Sequence, residues 1–282
     1  MAELSPDEPR PVEPERHVVA RADGTTFAVT HRPGPAGAPV VLVVPAMGMP
    51  AGYYGKLLTA LADAGLGAAV MEQRGHEAAG GSRPGWRHDF GYADLVDDIG
   101  QAVDLLGEVA PAAPAYLLGH SLGGQVGSVY AATNPDRLAG LALVAAGSVH
   151  WRPWGAGFLA MSQGMGLLAR VVGHFPGTRV GFAGREARGV MTDWARFART
   201  GRLRFGSPPV DHGPALRRLT MPLLAVSIEG DGLAPRRSVD GLAAMMPSAD
   251  LTRIHLDVDG IDHFRWARSP EAVVATLTDW LG

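Results

Sequence analysis

Three residues that are far apart in the chain have side chains suited to act as a nucleophile, an acid and a base. Ser121 lies in the segment Gly119-His120-Ser121-Leu122-Gly123, and Asp231 and His263 follow it in that order. A serine hydroxyl hardly ionises near neutral pH, so it attacks a carbonyl carbon only when an adjacent base removes its proton. Histidine suits this task because its unperturbed pKa is about 6.5, and a carboxylate orients the ring and stabilises its protonated form. These residue types predict acyl transfer through a covalent intermediate.

The segment around Ser121 has the Gly-x-Ser-x-Gly pattern of a sharp turn between a strand and a helix. A strand is predicted over Ala115–Leu118 and a helix over Leu122–Asn134. In such a turn the serine backbone is strained by about 1–3 kcal/mol, and the flanking glycines remove Cβ atoms that would meet neighbouring elements. The turn also aims the N–H groups and partial positive charge of the helix N-terminus at the serine oxygen. We therefore predict that Ser121 is the nucleophile.

The predicted acid follows a later strand. Leu223–Ile228 is an apolar run typical of a buried strand, and Asp231 lies in the glycine-flanked loop after it. At this position the carboxylate would point over the C-terminal edge of a parallel sheet. Asp231 could instead be a turn aspartate that accepts hydrogen bonds from its own backbone, and Glu229 is the main alternative acid.

The predicted base follows the next strand, Leu251–Leu256. His263 lies in the loop between this strand and the final helix. Its alternative roles are those of a helix cap or a solvated loop residue. Three aspartates share its loop and are poorly placed to reach the far nitrogen of its ring: Asp257, Asp259 and Asp262. We expect His120, inside the sharp turn, to support that turn.

Acyl transfer also places negative charge on the carbonyl oxygen of the substrate. Two backbone N–H groups usually stabilise this charge, each by about 3 kcal/mol. Leu122 follows the nucleophile and is predicted to supply the first N–H group. The loop after the strand Val40–Val44 is predicted to supply the second, from Met47 or, failing that, from Ala46. An ordinary tight loop without this role is the alternative.

Predicted strands and helices alternate along most of the chain, which indicates an α/β fold with a mostly parallel central sheet covered by helices on both faces. The alternation stops between Ser148 and Asp211, where no clear strand is predicted. We expect a flexible N-terminal tail over residues 1–16, a core over 17–146 and 212–282, and a helical lid insertion over 147–211.

The 147–211 insertion is rich in aromatic residues and arginine. Four of its aromatic residues are predicted to bind an apolar part of the substrate: Trp151, Trp154, Phe158 and Trp194. The alternative is that these rings form the insertion's own core. Nine arginines and three acidic residues give the insertion a net charge of +6, against −9 for the remainder. This charge would guide an anionic substrate or an acidic acyl carrier, unless the arginines pair with the acidic body.

Composition excludes several classes of protein. The net charge of −3 argues against binding of nucleic acid through overall charge, and the absence of cysteine excludes disulfides, thiolate zinc sites and a cysteine nucleophile. No apolar run reaches the ~20 residues of a membrane span, and the N-terminus lacks the pattern of a signal peptide. We therefore expect a cytoplasmic protein with a small-molecule substrate and with no metal or organic cofactor. The oligomeric state stays open.

These motifs resemble those of the α/β-hydrolase superfamily over nearly the whole chain after residue 17. Gly119–Gln125 is similar to the family's turn around its nucleophile, Gln73–His76 to the turn after its fourth strand, and Asp262-His263-Phe264 to its histidine loop. The loop from Asp231 to Pro235 is similar to its acid loop. One departure is Pro45-Ala46, where many members have His-Gly. The resemblance implies the α/β-hydrolase fold.

Shorter segments resemble a narrower group, the predicted hydrolases near the serine-aminopeptidase-like branch. They are Pro45–Gly48, Asp89–Tyr92, Phe175–Gly177 and Trp194–Arg202. The leading hypothesis is a serine hydrolase that cleaves an ester, thioester or amide with an apolar acyl part. The alternatives are an acyltransferase or thioesterase working with a biosynthetic partner, and a hydrolase fold that binds a ligand without catalysis. One fold hosts many chemistries, so the family adds no substrate.

Overall fold

A computed structural model describes residues 13–180 and 184–282. In these residues twelve strands are numbered in chain order: β1 (Glu15–Ala20), β2 (Thr26–Arg32), β3 (Val40–Val44), β4 (Gly67–Met71), β5 (Ala115–His120), β6 (Gly140–Val144), β7 (His174–Pro176), β8 (Arg185–Ala187), β9 (Arg204–Phe205), β10 (Val210–Asp211), β11 (Pro222–Ile228) and β12 (Asp250–Leu256). The α-helices of the same residues are α1 (Gly55–Asp63), α2 (Tyr92–Val109), α3 (Leu122–Thr133), α4 (Ala156–Val172), α5 (Gly177–Val180), α6 (Arg188–Thr200), α7 (Gly213–Arg218), α8 (Arg236–Ala243) and α9 (Glu271–Leu281).

Eight of the described strands form the main sheet, in the order β1-β2-β4-β3-β5-β6-β11-β12. Neighbouring strands from β4 to β12 are parallel, whereas β1 pairs antiparallel with β2, and β2 with β4. One apolar core lies between the sheet and α2 and α3, and a second lies between the sheet and α1 and α9. These cores explain the all-apolar sequence of β3, whose five side chains are all buried. The predicted fold class is confirmed.

The parallel strands determine where the predicted site residues lie. β3, β5, β11 and β12 all run in one direction, so their C-terminal ends meet at one edge of the sheet. The loops that follow these four ends carry Met47, Ser121, Asp231 and His263. The strand order therefore places all four residues above the same edge.

Two predictions about chain organisation need correction. The predicted tail over 1–16 is too long, because Glu15 and Arg16 belong to β1 and pair with His31 and Thr30 of β2. Backbone pairing outweighs the polar side chains there; residues 1–12 of that tail lie outside the described residues. The expectation of no strand between Ser148 and Asp211 is wrong, since β7 pairs with β8 and β9 with β10. Strands of two or three residues are too short to show alternation in a sequence.

The described part of the 147–211 insertion is otherwise built on α4 and α6, which pack against each other. Helix α6 has a buried face that includes Val190, Met191, Trp194 and Phe197. No helix in the described ranges has both the length and the apolar character that crossing a membrane requires.

Candidate active site

Ser121 occupies a strained turn between β5 and α3. Its backbone has φ 53° and ψ −114°, which non-glycine residues rarely adopt. The flanking glycines are needed because a Cβ on Gly119 would lie 2.4 Å from Gly124 Cα, and one on Gly123 would lie 2.1 Å from the carbonyl oxygen of Val44. The turn thus presents the serine side chain at the first turn of α3, as the sequence pattern predicts.

His263 lies between Ser121 and Asp231 and contacts both. Its Nε2 atom is 3.1 Å from Ser121 Oγ, and its Nδ1 atom is 2.8 Å from Asp231 Oδ2. Asp231 Oδ1 accepts the backbone N–H groups of Leu233 and Ala234, both at 2.8 Å. Asp231 is therefore both a turn aspartate and the partner of the histidine. This chain of contacts can move a proton from the hydroxyl to Nε2 while the buried carboxylate stabilises the resulting imidazolium.

The other acids considered from the sequence do not contact His263 Nδ1. Glu229 is 65% exposed at its side chain, and its Oε2 atom is 2.9 Å from His255 Nε2. Asp262 caps the following turn by accepting the N–H groups of Phe264 and Arg265. Asp257 and Asp259 are exposed in the same loop. Only Asp231 among these acids meets the ring.

Two backbone N–H groups beside Ser121 are candidates for binding an oxyanion. In the residues that the structure describes, no acceptor is found for the N–H groups of Met47 and Leu122, and both residues line the same cavity as Ser121. The N–H group of Ala46 is already used, because it donates to the Tyr54 hydroxyl at 2.9 Å. This contact favours Met47 over Ala46 as the second donor.

A buried network beneath the site was only partly foreseen. The Tyr54 hydroxyl donates to His120 Nδ1 at 2.8 Å, and His120 Nε2 donates to the carbonyl oxygen of His263 at 2.7 Å. Complete burial lowers the pKa of His120 well below its usual value, so the ring is neutral and carries its proton on Nε2. The network connects the loop of Ala46 to the loop of His263. Nothing in the sequence singles out Tyr54, which directly precedes α1.

A cavity of about 320 Å³ opens above Ser121 and His263. Its walls are mostly apolar, and the residues that the insertion contributes are Gly147, Val149, Trp154, Phe158, Met161, Met165 and Trp194. The rings of Trp154 and Phe158 stack with centroids 4.9 Å apart. Trp151 lies outside this wall, because its backbone forms the turn before α4 and its ring packs beside His150. Three of the four aromatic residues predicted to meet substrate thus line the cavity.

Gln125 is a cavity residue that the sequence did not single out. Its Oε1 atom accepts the Tyr92 hydroxyl at 2.8 Å, and its Nε2 atom donates to the carbonyl oxygen of Gly147 at 3.0 Å. The side chain therefore joins α3 to the first residue of the insertion. An isolated glutamine in a helix gives no signal of such a role.

The insertion is also joined to the core by charged groups. Arg188 pairs with Asp89 at 2.9 Å, and His76 Nε2 is 3.0 Å from Glu186 Oε1. Burial opposes protonation of His76, but the hydrogen bond and charge of Glu186 outweigh it, so the pKa of His76 is raised. Two further arginines, Arg196 and Arg202, pair with acids of the insertion itself. Of these arginines, one pairs with an acid of the core and two pair with acids of the insertion.

Comparison with known proteins agrees with the fold. Residues 36–199 match the family described as serine aminopeptidase, S33. A relative named "Putative carbamate hydrolase RutD", from Variovorax paradoxus (strain S110), is 36% identical over 116 residues, and that match spans 41% of this chain and 41% of the relative.

Two solved structures share the fold along almost their full lengths. A hydrolase from Pseudomonas aeruginosa PA01 has a TM-score of 0.67 at 21% identity, covering 95% of this chain and 98% of that one. The enol-lactonase from Burkholderia xenovorans LB400 has a TM-score of 0.62 at 19% identity, with coverages of 94% and 99%. Because the family match spans more than half of the chain and the strand order agrees with it, this chain has the α/β-hydrolase fold and belongs to the S33 serine aminopeptidase family.

Proposed function

We propose that this protein is a serine hydrolase that cleaves an ester, thioester or amide bond with an apolar acyl part. The observation that carries the proposal is the position of His263, which lies within hydrogen-bond distance of both Ser121 and Asp231. A strained serine, an imidazole and a buried carboxylate in contact form the arrangement that acyl transfer requires. We assign the roles of nucleophile, base and orienting acid to these three residues.

The reaction follows from this geometry in two halves. Ser121 Oγ attacks the carbonyl carbon while His263 Nε2 takes its proton, and the N–H groups of Met47 and Leu122 stabilise the oxyanion. His263 then gives the proton to the leaving group as the bond to the acyl carbon breaks, which leaves an acyl-enzyme. Water attacks this ester with His263 as base, and the acid and free serine are released.

The cavity walls support an apolar acyl group as the part of the substrate that is recognised. Trp154, Phe158 and Trp194 face the space above Ser121, and we propose that the 147–211 insertion acts as a lid over it. The relative named as a carbamate hydrolase suggests a carbamate, which the same three residues could cleave. The apolar walls favour a substrate with a hydrocarbon chain or ring over a small polar carbamate.

Labelling with a fluorophosphonate probe tests the proposal directly. We expect one adduct per chain, located on Ser121 by peptide mass spectrometry, and slower labelling of His263→Ala. The matched control is Ser148→Ala, because Ser148 lies beside the cavity residues Gly147 and Val149 but has no contact with His263. Adduct formation that persists in Ser121→Ala would overturn the assignment, and a complete lack of adduct in the native protein would favour a non-catalytic fold.

An acyltransferase or thioesterase that works with an acidic carrier is the second candidate. Four arginines surround one surface depression of the insertion: Arg196, Arg199, Arg202 and Arg204. Such a cluster would attract an acidic protein that carries the acyl group. We expect kcat/KM for a carrier-bound thioester to fall steeply with ionic strength, whereas kcat/KM for a neutral aryl ester stays flat. Equal salt dependence of the two substrates would exclude this candidate.

A further inference from the structure

A second group of chemically capable side chains lies at the open end of the first hairpin, far from Ser121. Glu15 and His17 lie two residues apart in β1, so their side chains face the same side of the sheet. His31 of β2 pairs directly with Glu15. One possible ligand atom from each residue lies within 4.8 Å of the other two. β1 is four strands away from β5 in the sheet, so this cluster belongs to a different region.

The cluster leaves nitrogen atoms without partners. His31 is only 2% exposed, and its Nδ1 atom has no hydrogen-bond partner. His17 Nε2 is buried and also lacks one; it lies 3.3 Å from Glu15 Oε2 without hydrogen-bond geometry. A buried polar atom left unpaired costs about 1–3 kcal/mol, so such atoms are rare in a folded protein unless something binds them.

We propose that Glu15, His17 and His31 bind one divalent transition-metal ion of the zinc class. Two imidazoles and one carboxylate form a common donor set for zinc, and they leave a fourth position open to solvent. Since the chain has no cysteine, a zinc site here must be built from histidine and carboxylate groups. This proposal departs from the expectation that the protein binds no metal, and the site lies apart from the residues proposed for acyl transfer.

The separations of the three groups fit a metal ion after small side-chain movements. Ligands at about 2.1 Å from a tetrahedral zinc ion lie about 3.4 Å apart, which the 3.3 Å between His17 and Glu15 already matches. The Glu15 and His17 side chains are 55% and 24% exposed, so they have room to close on the buried His31. The two movable ligands come from the edge strand and the fixed ligand from its neighbour.

A metal ion at this place would close the open end of the β1–β2 hairpin. β1 pairs with only one strand of the sheet, and its first residue in the ladder is Glu15. An ion that binds only the folded hairpin raises the stability of the protein with increasing ion concentration. The role is therefore structural, and it does not depend on the proposed function.

Calorimetric titration of ZnSO₄ into tag-free, chelator-treated protein tests the site. We expect one ion per chain and a rise in Tm on binding, with Co²⁺ absorption bands in the visible region that indicate nitrogen and oxygen ligands. His31→Gln and His17→Ala should each weaken binding at least tenfold, and Glu15→Gln should weaken it to a smaller extent. The control is His88→Ala, an exposed histidine outside the cluster, which should bind the ion as the native chain does.

The His17 variant keeps the test decisive even if a change at the buried His31 disturbs folding. The His17 side chain is partly exposed on an edge strand, so circular dichroism and Tm of His17→Ala without metal should match those of the native chain. A folded His17→Ala protein that binds zinc as tightly as the native chain would overturn the proposal. A native chain that binds no zinc would overturn it too.

Discussion

The core side and the insertion side of the cavity hold their residues by different means. On the core side, hydrogen bonds hold the side chains of Asp231 and His263 in place, and a network through His120 holds the backbone beneath them. On the insertion side, the wall consists mainly of rings and methionines such as Phe158 and Met165, which meet the cavity through apolar surface. Hydrogen bonds are directional, whereas apolar contact depends on area and volume.

This difference indicates which changes each side tolerates. A shift of one polar atom on the core side breaks a contact on which the proposed proton transfer depends, so chemistry should fail while binding persists. A change of ring on the insertion side alters the volume offered to a substrate, so selectivity should change while chemistry persists. Substitutions on the two sides should therefore differ in kind, with kcat affected on one side and KM on the other.

The largest effect is expected for Asp231→Asn. The amide keeps the shape of the carboxylate but cannot stabilise an imidazolium, and it favours the wrong tautomer of His263, so kcat for an aryl ester should fall about 10⁴-fold. The matched control is Glu229→Gln in the same loop, which should change kcat by less than about threefold because Glu229 contacts His255 instead. The measurement is steady-state hydrolysis after both variants are shown to be folded.

The opposite result would reassign the acid. If Glu229→Gln lost activity and Asp231→Asn kept it, the loop would have to rearrange in solution so that Glu229 meets His263. A fall in both variants to the level of Ser121→Ala would instead indicate that the charge of the whole loop matters.

Tyr54→Phe should damage the core side without touching a reacting atom. Removal of the hydroxyl leaves the Ala46 N–H group and His120 Nδ1 buried without partners, so the free energy of unfolding should fall by about 2–4 kcal/mol in urea denaturation. Tyr53→Phe is the control. The half-buried Tyr53 hydroxyl donates to the carbonyl oxygen of Phe264, and water can take over this hydrogen bond at a lower cost in stability. Equal losses in the two variants would show that the buried network adds nothing beyond one ordinary hydrogen bond.

Phe158→Ala should alter substrate choice through the insertion side. Loss of the ring removes apolar contact with a bound acyl chain, so kcat/KM for a long-chain ester should fall about tenfold through KM. The value for an acetyl ester, which does not reach the ring, should hardly change. Trp151→Ala is the matched control because Trp151 lies outside the wall. A uniform loss for all chain lengths would place Phe158 in the chemistry instead of in binding.

The same contrast explains what the sequence made predictable. Ser121 lies in a turn that is sterically allowed only with glycine at the flanking positions, and the sequence shows these glycines. Asp231 and His263 follow apolar strands whose C-terminal ends must meet in a parallel sheet. Those constraints are local or topological, so a single sequence contains them. Trp151 and Trp154 are the same residue type, three positions apart. Only the turn before α4 decides which of them lines the cavity.

Contacts between distant elements left no signal of their own. Tyr54 lies directly before α1 and Gln125 lies within α3, and the apolar pattern of these segments predicts only burial. Their hydroxyl and amide groups meet partners that packing alone brings near. The short strands of the insertion were not predicted for a related reason. Each strand forms only by pairing with another segment, and two or three residues are too few to show a periodic pattern. For Tyr54 and Gln125, the structure adds the buried hydrogen-bond partners of a polar group.

The smallest effect concerns the ion pair that joins the two sides, His76 with Glu186. Burial disfavours protonated His76, yet the hydrogen bond and charge of Glu186 outweigh it and raise the pKa in the folded state. The stability that the pair contributes is therefore fully present below the unfolded pKa of about 6.5 and is lost as the pH rises through the higher folded value.

His76→Gln should be less stable than the native chain by about 1 kcal/mol near pH 6, and this difference should shrink towards pH 9. Urea unfolding across this range measures the difference, and exposed His88→Gln gives the baseline. A difference that grows with pH would mean that Glu186 holds the neutral ring, so that the insertion is joined to the core by a hydrogen bond without charge.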